Sequence, residues 1–171
     1  MNKPNPVNRK AGSLKLVVLT GLMLCGQNHS LFAQKYAPIE DVDIIKRHVK
    51  VLQKERPHAF DQLRIGNVYQ INDHHSKITF YENGVYNEAV VNSGRKDMLL
   101  VAIFQEILPA DLPSVVSDAF KEDGRDGQEI MKSFKVTTPS GGWFYCLEVT
   151  EDGRKKRIYL DELGRYHDSP Y

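Results

Sequence analysis

Cysteine is scarce in this chain: only Cys25 and Cys146 occur among 171 residues. Two thiols cannot build the disulfide framework that staples small secreted scaffolds, so the fold must rest on an apolar core. An excess of charge of either sign is also missing. Lys plus Arg total 23 against 22 Asp plus Glu, which leaves no broad basic field for nucleic acid and no acidic tail. No apolar run reaches the roughly 20 residues that a membrane-spanning helix requires. Tryptophan occurs once, at position 143. A Gly-x-Ser-x-Gly elbow, a Gly-rich phosphate loop before Lys-Ser/Thr and a His-Glu-x-x-His pair are all absent, so the common hydrolase and nucleotide-binding constellations lack their parts.

What is present begins with a leader. Lys3, Arg9, Lys10 and Lys15 precede an apolar run at 16–25, and Ser30, Leu31, Phe32 and Ala33 lead to Gln34. Cations, a short apolar helix and a small residue in that order form a secretory signal peptide, with the cut expected after Ala33. An uncleaved anchor and a lipoprotein linked through Cys25 are the alternatives; Leu24 stands where lipoprotein processing wants a small residue. Four of the 23 cations and none of the 22 carboxylates lie in residues 1–33, so residues 34–171 carry 19 against 22, a formal charge of −3. That domain is expected in the periplasm or outside the cell. Its lone Cys146, between Tyr145 and Leu147, reads as a small packed side chain rather than a redox centre.

From residue 39 the chain alternates between two periods. Ile39, Val42, Ile45, Val49 and Leu52 predict a helix over 39–55 with one apolar stripe, ended by Pro57. Alternation then predicts strands around 63–71, 78–80, 85–91 and 98–108, with Asn83-Gly84 as a hairpin turn because both residues tolerate positive φ. A second helix is expected over 112–122, with Asp111 as its cap and Pro113 early. Strands at 130–138, 143–150 and 158–160 and a last piece into Tyr166 follow. The order is helix, four strands, helix, four strands, an α+β fold with helices packed against an antiparallel sheet.

An internal repeat supports that order. At an offset of 80, Ile78, Phe80, Glu82, Gly84, Tyr86 and Glu88 fall on Ile158, Leu160, Glu162, Gly164, Tyr166 and Asp168. Two helix-plus-meander repeats in one domain are therefore expected, about 39–108 and 109–171. The helices stand about 70 apart, so the second repeat needs an insertion, most simply the strand at 130–138.

A resemblance enters with the second half. Leu112-Pro113 opening a helix, paired strands at 132–138 and 143–150, and the closing Asp-Glu-Leu-Gly-Arg-Tyr turn at 161–166 look like the PepSY-like domain, in the beta-lactamase-inhibitor-protein-like (BLIP-like) form of exported Bacteroidetes proteins. The resemblance implies an exported module that modulates a protease or another envelope protein, with a protein or peptide partner and no cofactor.

Candidate sites are few. His74 and His75 are adjacent; in a turn they could hold a metal with Asp73, whereas on a strand they would point to opposite faces. No metal or catalytic set is assigned, and Glu82 with Glu162 read as turn carboxylates of ordinary acidity. The run Arg154, Lys155, Lys156, Arg157 reads as a solvated edge that discourages sheet-to-sheet association. Trp143, Phe144 and Tyr145, beside Gly141-Gly142, are the candidate partner-binding residues, since large aromatics at a loop anchor partners. Alternation also places Trp143 and Tyr145 on one face and Phe144 and Cys146 on the other, as a sheet beneath a helix requires. Two functions stay open: a non-enzymatic binding module, or a small α+β hydrolase or ligand-binding protein with a site near His74 and His75.

Overall fold

The computed structural model describes residues 36–94 and 97–171. The leader read at 1–33, with Cys25, lies outside the described residues. Helix α1, Val42–Glu55, begins one turn later than its apolar stripe because Asp41 caps it, accepting from the N–H groups of Asp43 and Ile44 at 2.9 and 3.0 Å. Ile39 instead donates its N–H to the Val68 carbonyl at 2.8 Å, and Val42 is left exposed.

Seven strands follow in sequence order, each antiparallel to the next: β1 Leu63–Gln70, β2 His75–Glu82, β3 Val85–Asn92, β4 Leu99–Ile107, β5 Ile130–Thr137, β6 Trp143–Glu151 and β7 Arg154–Leu160. The hairpin at Asn83-Gly84 takes the expected positive φ at both positions, 52° and 81°. A bulge bends β1 between Ile65 and Val68. It depends on Gly66, where a Cβ would stand 2.5 Å from Thr79 Oγ1. That hydroxyl accepts from the Asn67 N–H at 2.9 Å and fixes the bulge.

Helix α2, Ser114–Phe120, is shorter than expected and does not use Asp111 as its cap. Pro113 is the reason. A proline disfavours helical backbone in the residue before it, so Leu112 stays extended (φ −66°, ψ 138°) and the helix starts after the proline. The eighth strand is also corrected. After β7 the chain makes a single bridge, Tyr166 to Leu160, and then turns onto the sheet, with the Tyr171 ring 6.2 Å from Phe104.

Both helices lie on one face. Beneath α1, Leu52 joins Val68, Ile78, Phe80, Ala89 and Ile103; beneath α2, Val116 and Phe120 join Leu147, Val149, Ile158 and Leu160. The opposite face has its own cluster, centred on Phe104, Phe134, Phe144 and Cys146 and partly covered by Ile71 and Tyr171. Each fully buried large apolar side chain stabilises the fold by about 1.5–3 kcal/mol. No helix among the described residues is long and apolar enough to cross a membrane.

One polar pair sits inside the α1 core. His48 is fully buried, its Nδ1 donating to the Ile44 carbonyl at 2.8 Å and its Nε2 accepting from Ser76 Oγ at 2.5 Å. Burial holds the imidazole below its usual value, against the pull of the Ile44 carbonyl. In the unfolded chain it protonates near 6.5 (about), so stability falls as the pH drops below that point until the folded imidazole is itself protonated. The urea midpoint is expected to fall more between pH 7.5 and 5.5 (roughly that window,) for the natural chain than for His48→Gln. Equal falls in the two proteins would show that His48 is not held neutral.

Candidate functional site

The sheet presents two surfaces. On the helix side, α1 covers β1 to β4 and α2 covers β5 to β7, and a strip of β4 to β6 between them is bare. Gln105, Lys135, Thr137 and Trp143 are exposed there. Strand alternation sets Trp143 and Tyr145 on this side. Tyr145 is buried under α2, while Trp143 stays 38% exposed, with Lys135 Nζ 4.8 Å above its ring. Phe144 faces the other way, buried, with the His167 imidazole stacked on it at 4.5 Å.

The helix-free face is strongly curled. Four strand spacings separate β3 from β7, about 19 Å on a flat sheet, yet Arg157 Nη2 lies 2.9 Å from Glu88 Oε2. The guanidinium reaches it across the Phe104 and Phe134 rings, 5.3 Å from each centroid. Glu88 is saturated. Lys77 and the Tyr86 hydroxyl donate to its Oε1 at 2.9 and 3.0 Å. Burial works against its ionisation, but Arg157 and Lys77 outweigh burial and hold the carboxyl below the usual range. Burial and Glu88 push the Tyr86 phenol well up, and burial pushes the Cys146 thiol up to about 12. Neither group is a nucleophile at neutral pH.

A cleft of about 440 Å³ opens on this face. Its charged wall is Lys77, Glu88, Glu148 and Arg157, with Lys132 and Lys155 at the rim; Tyr36, Tyr86, Tyr159 and Tyr171 form its aromatic wall. The basic run 154–157 is thus divided. Lys156 pairs with Glu151 near the hairpin, as a solvated edge would, but Lys155 and Arg157 turn to the cleft and meet Glu148 and Glu88. Read from the sequence, Lys155 and Arg157 belong to a solvated edge and Glu88 to the repeat, and Lys77 and Glu148 carry no assignment. The available signal was a single carboxylate inside each of two apolar strands, Glu88 in β3 and Glu148 in β6, because an isolated charge at a buried position must find a partner.

His74 and His75 lie where β1 turns into β2. The His75 ring lies tilted against Tyr171, centroids 5.9 Å apart, and burial with the neighbouring His74 holds its imidazole below the usual value. Among the described residues no group of three or more His, Cys, Asp or Glu side chains converges as a metal site. Glu82 pairs with Arg56 at 3.5 Å, and Glu162 stands exposed in the turn after β7.

No protein-family model matches the chain, and no curated protein matches its sequence. Solved structures match in shape. A DUF2874 family protein from Bacteroides uniformis is similar with a TM-score of 0.50 at 17% identity, over 75% of this chain and 86% of that one. A presumed periplasmic protein from Bacteroides eggerthii gives 0.51 at 16% identity, over 77% and 86%. A BLIP-like protein from Bacteroides fragilis gives 0.49 at 16%, over 79% and 86%. At such identities the likeness is one of fold, and the expected resemblance to a Bacteroidetes domain is met at that level. The chain has the fold of the DUF2874 family proteins of Bacteroides.

Proposed function

We propose that this chain is an exported, non-enzymatic binding module of the cell envelope, freed from its leader after Ala33, that holds a protein or peptide partner. The observation that carries the reading is the bare strip between the two helices, where Trp143 stands half-open beside the Gly141-Gly142 turn. An aromatic anchor in a polar surround is the composition of a contact centre. Phe144 and Tyr145 act behind it, fixing the strand that presents it. Modulation of an envelope protease is the finer form of this reading and rests on the BLIP-like resemblance.

The test places a photo-crosslinking residue at position 143 and, separately, at exposed position 50 on α1, in the chain exported to the envelope. A partner captured at 143 and not at 50 is the expected result. Equal capture at both, or none at 143, removes the proposal, and turnover of a peptide or ester substrate that His75→Ala abolishes would install the hydrolase reading in its place. N-terminal sequencing of the exported protein is expected to begin at Gln34.

We also infer that the halves are copies of one unit, related by 69 residues rather than 80. The support is the pair of two-residue hairpins Asn83-Gly84 (52°, 81°) and Asp152-Gly153 (51°, 72°). At nearly the same offset the buried helix pair His48 and Leu52 meets Val116 and Phe120. This alignment needs no inserted strand.

A further inference from the structure

Across the cleft five charged side chains alternate in sign. Lys77, Glu88, Arg157, Glu148 and Lys155 are joined in that order at 2.9, 2.9, 3.5 and 3.0 Å. Three cations therefore share two carboxylates, while Lys132 has its own partner in Glu106 at 3.0 Å. The chain of charges carries one positive charge in excess. It is also poorly hydrated: the side chains of Lys77, Glu88, Arg157 and Glu148 are 15, 4, 19 and 10% exposed. These four cancel one another, so the surplus charge falls on Lys155 at the rim, where an incoming anion can meet it.

Arg157 is built to meet one. Both of its carboxylate contacts are made by a single nitrogen, Nη2, so the Nε and Nη1 donors of its planar fork lie outside those ion pairs. Lys155, at the rim and 53% exposed, already reaches inward to Glu148 at 3.0 Å. The rest of the wall is aromatic, and the cleft's volume of about 440 Å³ falls in the size range of small-molecule sites. A single surplus charge beside tyrosine rings matches a monoanion with an apolar body. A phosphate dianion would overcompensate the charge and leave the rings without a partner.

We propose that this cleft binds a small organic carboxylate, its charge met by Arg157 and Lys155 and its apolar body lying against Tyr86, Tyr159 and Tyr171. The site is on the helix-free face and stands apart from the partner reading, which uses the other side of the sheet; either can fail without the other.

The test is calorimetric titration of the full chain at neutral pH with 3-phenylpropionate, its neutral analogue 3-phenylpropanamide and inorganic phosphate. Saturable binding of the carboxylate is expected, with the amide at least about tenfold weaker because it forfeits the charge-assisted bonds. Lys155→Gln, an exposed change that leaves the fold intact, is expected to weaken the carboxylate about threefold, and Lys50→Gln on α1 to leave it unchanged. Amide or phosphate binding as tightly as the carboxylate, an unaltered affinity in Lys155→Gln, or no saturable binding of the carboxylate overturns the assignment.

Discussion

Glu88→Gln lowers the unfolding free energy by about 3 kcal/mol, because it strips the counter-charge from Lys77 and leaves Arg157 only the longer contact to Glu148. The substitution keeps the shape of the side chain, so the loss isolates charge from packing. Arg157 and Lys77 both lose their closest carboxylate, and Arg157 cannot shed its proton. The natural chain carries the same dependence in its acid response. With the folded carboxyl held below the usual range, its contribution is complete above about pH 4.3, where the unfolded group titrates. It is lost as the pH falls from there through the lower folded value. Denaturant unfolding at neutral pH checks the mutational effect, and a loss under about 1 kcal/mol would place this contact among surface ion pairs.

Gly164→Ala is expected to cost about 3 kcal/mol, and Gly84→Ala only about 1 kcal/mol. Both glycines have left-handed backbone, φ 76° and 81°, so each pays the strain of a side chain there. They differ in what surrounds them. A Cβ at Gly84 meets nothing within 4 Å, whereas one at Gly164 would stand 2.8 Å from the Val115 carbonyl oxygen and 2.9 Å from Ala119 Cβ. Gly164 is therefore the close-approach point at which the turn after β7 is seated on α2. The comparison of the two variants by denaturant midpoint cancels the shared strain, and similar losses would mean that the turn is not seated there.

The same two glycines show where sequence reading succeeded and where it stopped. Positive φ, alternation and the helical stripes are local properties, and they placed both helices, seven strands and the Asn83-Gly84 hairpin. The offset of 80 paired Gly84 with Gly164 because both carry a turn glycine between apolar residues. One closes a two-residue hairpin and the other a wider turn from Asp161 to Arg165. Local pattern cannot separate them, since the difference lies in what each turn lands on. The cleft was hidden for a related reason. Arg157 reads as one of four cations in a row, and only the curl of the sheet, a long-range property, brings it to Glu88. Trp143 was legible as an aromatic beside a flexible turn, but its exposure depends on the gap between α1 and α2, which no spacing within the strand records.

Glu88 and Arg157 are 69 residues apart, the same interval that separates the two-residue hairpins. Each lies on the strand that follows its hairpin, Glu88 on β3 and Arg157 on β7. Had the two positions kept one sign, the curl would press two carboxylates, or two guanidiniums, together in a dry environment. Opposite signs let the curl bring β3 and β7 together on a matched ion pair. A second β3 brought to the place of β7 would set carboxylate against carboxylate, so the closure accepts one strand and refuses the other.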